Sequence, residues 1–197
     1  MTTDVFLAAL LFAFAASITP GPNNVMLMTS GVNFGFQRTV PHMAGVVGGF
    51  AVVQVAVGFG LGALVQAVPA ISVGLKVVSA IYMAYLAWKI AFSRAMAEGK
   101  AMARPLTSWE AAVFQWVNPK GVASALVAMA IYTNPVQPVS SVLLVVAIFT
   151  TVGVLSVTTW TAFGVGVRRF LSSPNRLQMF NFVMGALLLL SIWPMLR

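Results

Sequence analysis

Six apolar segments, each long enough to cross a bilayer, constrain this chain more than any other feature. They lie at about residues 5–29, 40–65, 70–92, 109–131, 140–166 and 177–195. A helix spans the hydrocarbon core with about 20 apolar residues, so each segment predicts one membrane-spanning helix. Only 7% of the residues are charged, against roughly a quarter in soluble domains. The sequence therefore predicts an all-α integral membrane protein with six transmembrane helices, in one domain over residues 1–197.

Positive charges occur in alternate connections between these segments. The first, third and fifth connections contain Arg38, then Arg94, Lys100 and Arg104, then Arg168, Arg169 and Arg176. The second and fourth connections contain no Lys or Arg. Because positively charged loops face the cytoplasm, this pattern predicts a multi-pass protein with both termini outside the cytoplasm. These loops also account for most of the net charge of +8, so we expect membrane lipid and no nucleic acid as a partner.

Two of the segments are interrupted near their middle. Pro-Gly-Pro at residues 20–22 interrupts the first, and Pro119, 99 residues after Pro20, interrupts the fourth. With three segments in each half, the second half enters the membrane inverted relative to the first. The pattern predicts two inverted three-helix repeats, about 1–95 and 106–197, with helices 1 and 4 broken. Transporters built this way place their binding sites at such breaks.

The residues around the breaks predict new helix starts in the middle of the membrane. A break survives in lipid only where protein or a wet cavity satisfies the freed backbone groups, so two breaks predict a shared cavity. Proline kinks that serve only packing are the alternative. Asn118 before Pro119 is typical of an N-cap followed by proline at the first helical position. Thr19–Pro20 or Gly21–Pro22 would do the same in the first segment. Such starts attract anions, including a substrate carboxylate.

Lys120 is the second residue of the restarted helix, where a cation opposes the helix dipole. The acidic residues of the chain are Asp4, Glu98 and Glu110, and none is placed to neutralise it. A substrate carboxylate would compensate the charge. The alternatives are that Lys120 caps the carbonyls that end the first half of span 4, or that it snorkels to the interface.

Other polar residues inside the segments have a functional and a structural interpretation. They are Asn23, Asn24, Gln54, Gln115, Lys76 and His42. The asparagines either bind substrate or satisfy the broken backbone, and the glutamines either line the path or join helices. The lysine either serves the path or snorkels, and the histidine, at the inner end of span 2, either relays protons or is structural. Gly31/Gly35, Gly45/Gly49 and Gly58/Gly62 predict close helix packing and would permit a homo-oligomer.

Three motifs resemble a known family. TPGPNN in the first segment, SAIYMAYLAWKI in the third and FQWVNPKG in the fourth resemble the lysine-exporter (LysE/RhtB) family of bacterial amino-acid efflux proteins, nearest its cysteine and O-acetylserine exporter branch. The resemblance covers the whole chain. It implies export of a small amino acid or derivative across the bacterial inner membrane, driven by the proton gradient. By motif, the signature residues are Pro20, Gly21, Pro22, Asn23, Asn24, Asn118, Pro119 and Lys120. The smaller residues of GVASALVAMA leave the size of the pocket open.

Other function classes are less compatible with these residues. The chain contains no cysteine, one histidine and three acids, so we expect no metal and no cofactor. No nucleophile–base pair surrounds the histidine, which argues against an enzyme. A permease for another small solute, either an organic acid or a cation, and a non-transporting membrane assembly subunit remain as alternatives.

Overall fold

The computed structural model describes residues 1–92, 104–134, 136–171 and 173–193, which form helices and no β-strand. In chain order the helices are α1 (Thr3–Ile18), α2 (Pro22–Phe34), α3 (Phe36–Ala56), α4 (Gly62–Ala67), α5 (Pro69–Ala91), α6 (Ser108–Val117), α7 (Pro119–Tyr132), α8 (Pro138–Arg168) and α9 (Pro174–Leu190). An irregular turn of π-helical geometry, Val57–Leu61, joins α3 to α4. The all-α prediction is confirmed, and each of the six apolar segments contains helix.

The two predicted breaks are present. α2 begins at Pro22 with Gly21 as its N-cap, so Gly21–Pro22, not Thr19–Pro20, is the new helix start. α7 begins at Pro119 with Asn118 as its N-cap. In both helices the proline takes the first position, where its missing N–H would have no partner in any case.

Three helical segments of the described chain are long and apolar enough to cross a membrane: Phe36–Leu64, Val73–Ala91 and Pro138–Arg168. α1 and α2 pass the same test together but are bent by 54°, so they add a fourth span if the bent pair crosses as one. α7 is apolar but shorter. The chain is therefore an all-α membrane protein with three or four candidate spans. Six spans in two inverted repeats stay a prediction.

Glycines bring helices from the two halves of the chain into backbone contact. A Cβ on Gly164 of α8 would lie 2.2 Å from the Met28 carbonyl oxygen of α2. A Cβ on Gly45 of α3 would lie 2.2 Å from the Ser108 carbonyl oxygen of α6. The predicted close packing is thus present at Gly45. At Gly35 it is wrong, because this glycine has a φ of 81° and separates α2 from α3.

The positively charged connections meet at one end of the helix bundle. Ser108 Oγ, at the start of α6, donates a hydrogen bond to the Pro41 carbonyl of α3 (2.8 Å). Gln178 Nε2, on α9, donates to the Ala91 carbonyl at the end of α5 (2.7 Å). We call this the basic end, and the end that contains the α7–α8 connection the opposite end. The predicted loop residues Arg94 and Lys100 lie outside the described part of the chain.

Glu110 has its own partner at the basic end. Arg104 donates two hydrogen bonds to its carboxylate, at 2.7 and 2.9 Å. Through these bonds Glu110 raises the pKa of the Arg104 guanidinium above its ordinary value. Thr107 and Glu110 also form a capping box at the start of α6. The Glu110 carboxylate is therefore bound by Arg104 and Thr107 at the first turn of α6. Lys120 lies beyond the last turn of α6, at the other end of this helix.

Candidate functional site

A cavity of about 80 Å³ lies at the two breaks, between α1, α2, α3, α7 and α8. We call it the central cavity. Its apolar wall includes Val46, Phe50 and Phe149. The polar side chains that line it are those of Ser17, Asn23, Asn24, Asn118, Lys120, Ser124 and Ser156. The breaks therefore share a cavity, as the sequence predicted.

The carbonyls at the end of α1 are satisfied by side chains from elsewhere. Asn24 Nδ2 donates to the Ser17 and Thr19 carbonyls, at 2.8 and 2.9 Å. On α8, Ser156 Oγ donates to the Ser17 carbonyl (2.8 Å) and Trp160 Nε1 to the Ile18 carbonyl (3.2 Å). A buried backbone carbonyl needs such a partner, since water does not reach it in lipid. Asn24 therefore serves the broken backbone, one of the two roles that its position allowed.

Ser156 and Trp160 are site residues that the sequence analysis missed. Both lie on α8, in the apolar segment predicted at 140–166. They are four residues apart, so they share one face of the helix. A hydroxyl and an indole at this spacing in an apolar segment are a signal that could have identified them.

Lys120 links the two breaks. Its Nζ donates a hydrogen bond to the Thr19 carbonyl at 2.6 Å, and its side chain packs on Gly21, where a Cβ would lie 2.8 Å from Lys120 Cδ. The structural interpretation expected a cap on the first half of span 4; the lysine instead caps the first half of span 1. Among the described acids none pairs with Lys120. A carbonyl is neutral, so the positive charge at the cavity wall is not balanced.

Asn23 and Gln115 bind each other. Asn23 Nδ2 donates to Gln115 Oε1 (2.8 Å), and Gln115 Nε2 donates to Asn23 Oδ1 (3.1 Å). Gln115 is fully buried and also donates to the Ala111 carbonyl (2.9 Å). The pair joins α2 to α6 across the two halves of the chain. Gln115 thus connects helices, and it is not among the residues that line the central cavity.

Asn118 presents an unused acceptor. The residue is 3% exposed, and its Oδ1 is buried with no hydrogen-bond partner in the described part of the chain. Although it is the N-cap of α7, its side chain makes no capping bond. A buried acceptor left unsatisfied costs about 1–3 kcal/mol. Because Asn118 lines the central cavity, a ligand with an N–H donor would relieve this cost.

A second cavity lies on the other side of Lys120. This lateral cavity, of about 670 Å³, is bounded by both breaks, α5 and α7. Lys76 and Ser79 of α5 line it, and Lys120 lines both cavities. Pro20 and Pro119 line it as well. The tertiary structure thus brings Lys76 and Lys120 to one space, although they lie in different halves of the sequence.

His42 and Gln54, like Gln115, line neither cavity. His42 is 1% exposed, and both its ring nitrogens lack a partner among the described residues. The sequence placed it at the inner end of span 2, and packing there encloses the imidazole completely. Gln54 is also fully buried, and both atoms of its carboxamide are without a partner in the described chain.

A family model and individual known proteins both match this chain, and they indicate the same family. Residues 14–191 match the family model described as "LysE type translocator". The chain is 28% identical to the cysteine/O-acetylserine efflux protein of Escherichia coli O139:H28 (strain E24377A / ETEC), over 96% of each chain. It is 28% identical to the protein of that name from E. coli strain K12, over 95% of each chain. The corresponding protein of Salmonella paratyphi A is 32% identical over 68% of this chain and 69% of its own. No solved structure matches.

Proposed function

This chain belongs to the LysE type translocator family, and we propose that it is a secondary transporter that exports a small amino acid or amino-acid derivative from the cytoplasm. The family predicted from the motifs is confirmed, and relatives that cover nearly the whole chain are efflux proteins. The observation that carries the proposal is Lys120. It is an unbalanced cation on the wall of a cavity lined by the starts of two half-helices.

We propose that the central cavity binds the two charged groups of the amino acid. The carboxylate binds Lys120 Nζ and lies near the starts of α2 and α7, where helix dipoles favour an anion. The ammonium donates to Asn118 Oδ1, the unused acceptor. Asn23 and Asn24 already have hydrogen-bond partners: Asn23 Oδ1 accepts from Gln115 Nε2, and Asn24 Nδ2 donates to the Ser17 and Thr19 carbonyls. They hold the walls of the site.

Substrate binding would also loosen a contact between the halves. Lys120 Nζ now binds the Thr19 carbonyl, 101 positions away in the other half. A carboxylate is the stronger acceptor for an ammonium group, so the substrate would take over this bond. The two halves, as inverted repeats of three spans each, would then be free to rock around the site and alternate access.

The cellular setting is part of the proposal. The basic end faces the cytoplasm by the rule of positive charges, so both termini lie outside it in a bacterial inner membrane. Export against a gradient requires an energy source, and we propose exchange for protons. His42, buried without a partner among the described residues, is the titratable side chain that we assign to this exchange.

The test is efflux from cells that lack their own amino-acid exporters and are loaded with dipeptides. Cells with the wild type should release one or a few amino acids, with cysteine and O-acetylserine first on the panel. Lys120→Ala should reduce that release to the level of empty cells, because the carboxylate loses its counter-charge. Lys76→Ala is the matched control, since it removes a cation from the lateral cavity alone. Normal release by a membrane-inserted Lys120→Ala variant would exclude the carboxylate role.

One alternative has a specific observation in its favour. Lys76 and Lys120 line the lateral cavity together, which would suit a dianionic organic acid. A transporter of such acids should release dicarboxylates from preloaded cells and need both lysines. The efflux panel separates this alternative from amino-acid export. The Lys76→Ala variant should keep wild-type efflux if the protein exports amino acids and lose efflux if it exports dicarboxylates.

A further inference from the structure

Gln54 lies one helical turn beyond the central cavity, toward the opposite end. α3 runs from the basic end toward the opposite end, and its Val47 and Phe50 line the cavity. Gln54 follows Phe50 by four residues, which is one helical turn farther along nearly the same face. It is 0% exposed, and its Nε2 and Oε1 have no hydrogen-bond partner among the described residues.

The layer around Gln54 is otherwise apolar. One turn beyond the cavity on the three other helices lie Phe12 of α1, Ala128 of α7 and Val145 of α8. Ala128 and Val145 are fully buried, and Phe12 packs on the same core. We call this layer, with Gln54, the outer seal. A carboxamide in such a layer is normally paired, and inside a membrane protein an unpaired polar group is a candidate functional group.

Aromatic rings close the cavity against the outer seal. Phe149 of α8 lines the cavity, and its ring centroid lies 6.0 Å from that of Phe12 and 5.9 Å from that of Phe50. These T-shaped contacts join α1, α3 and α8. A solute leaving the cavity toward the opposite end along this face of α3 would meet these rings, and Gln54 is the polar side chain of the seal beside them.

The backbone beyond Gln54 is irregular. Within Val57–Leu61 the π-helical turn contains Phe59 (φ −101°, ψ 19°) and Gly60 (φ 126°), both outside helical geometry. π-Helical turns inside helices are frequent at functional sites. The end of α3 can therefore shift at this turn while the cavity-lining part of the helix keeps its packing, which would open the seal next to Gln54.

We propose that Gln54 is a second, transient binding position for the exported amino acid. This inference rests on the proposed function. A carboxamide offers a donor and an acceptor side by side, which matches the carboxylate and ammonium of a zwitterion. When the seal opens, Gln54 Nε2 donates to the carboxylate and Oε1 accepts from the ammonium, so the charged groups cross an apolar layer without losing all their partners.

The chain contains no cysteine, so Gln54→Cys introduces the one thiol of the protein. Cells expressing this variant would be treated from outside with a membrane-impermeant, sulfonate-bearing thiol reagent during O-acetylserine efflux. Met83→Cys is the matched control, because Met83 is equally buried but lies in a separate core formed by α2, α5, α6 and α9. We expect Gln54→Cys to react at least about tenfold faster than Met83→Cys, and an excess of O-acetylserine to slow it. Equal unreactivity of the two inserted variants would overturn the proposal.

Gln54→Leu provides the second measurement, and it fits an apolar layer without loss of packing. Efflux should fall by about tenfold, as expected for losing a hydrogen bond to a charged group. Binding of O-acetylserine to the purified protein, measured by its effect on thermal unfolding, should stay unchanged, since the central cavity is intact. Efflux at the wild-type rate by Gln54→Leu would contradict the proposed role of Gln54 and would leave the proposed function untouched. Absence of amino-acid efflux from the wild type would instead contradict the proposed function.

Discussion

The two helix breaks begin with the same chemistry and end with different roles. Each places a proline at the start of a half-helix, at Pro22 and at Pro119. At the first break, the carbonyls of residues 17–19 accept hydrogen bonds from α2, α7 and α8. At the second, Asn118 Oδ1 is buried without a partner in the described chain. The carbonyls at the first break thus have their hydrogen-bond donors, whereas the second break presents an unused polar group.

This difference separates stability from function. A group whose hydrogen bonds are complete contributes to folding, and its loss is expected to destabilise the protein. A buried group without a partner destabilises the empty protein and is retained where a ligand completes it. Substitutions at the first break should therefore lower the free energy of unfolding, whereas those at the second should lower export.

The largest expected effect on stability is at Gly164, which holds α8 against α2 beyond the first break. In Gly164→Ala the new Cβ would lie 2.2 Å from the Met28 carbonyl oxygen, a backbone atom. We expect a loss of about 3 kcal/mol in the free energy of unfolding, the upper range for overpacking. Gly166→Ala is the control on the same helix, with nothing within 4 Å of its new Cβ. Thermal unfolding in detergent measures both, and equal stability of the two variants would contradict the packing argument.

Asn24→Leu tests the first break directly. The Ser17 and Thr19 carbonyls would each lose one donor, at a cost of about 1–3 kcal/mol. Each keeps a second donor, from Ser156 and Lys120 respectively, so the protein should still fold. The melting temperature of the purified variant should fall by several degrees. An unchanged melting temperature with abolished efflux would show that Asn24 acts on the substrate instead.

Asn118→Leu makes the same substitution at the second break and should give the opposite result. No hydrogen bond of the Asn118 side chain is lost in the described structure, so the melting temperature should stay equal or rise. Export should fall about tenfold, because the ammonium loses an acceptor. Dipeptide-loaded cells and the purified protein provide the two measurements. A destabilised Asn118→Leu variant that exports normally would show that the second break serves stability, contrary to this comparison.

Ser156→Ala should have the smallest effect. The Ser17 carbonyl keeps its bond from Asn24, so the loss of one neutral hydrogen bond costs about 1 kcal/mol or less. Thr159→Ala is the control, since that hydroxyl donates to the Leu155 carbonyl of its own helix. A double variant with Asn24→Leu sharpens the test. Because both donors serve one carbonyl, their combined loss should exceed the sum of the single losses.

Several features of the site follow from residues close together in the sequence. The helix starts at Pro22 and Pro119, the location of both breaks and the grouping of basic residues at one end were predictable, because proline, hydropathy and loop charge act locally. The motif around Lys120 also identified the family. What Asn24, Gln115 and Lys120 bind was left open, since each has a structural and a functional partner of similar chemistry.

The sequence by itself determined an all-α membrane chain, two interrupted helices and an unbalanced lysine at the second interruption. Only the tertiary structure decided that Lys120 reaches the Thr19 carbonyl, that Ser156 and Trp160 complete the first break and that, within the described chain, Gln54 lies unpaired in an apolar layer. The reason is physical. Helix starts and breaks depend on neighbours along the chain, whereas hydrogen-bond partners about 100 residues apart depend on how closely the helices approach. That approach is set where glycines such as Gly164 and Gly45 let backbones touch.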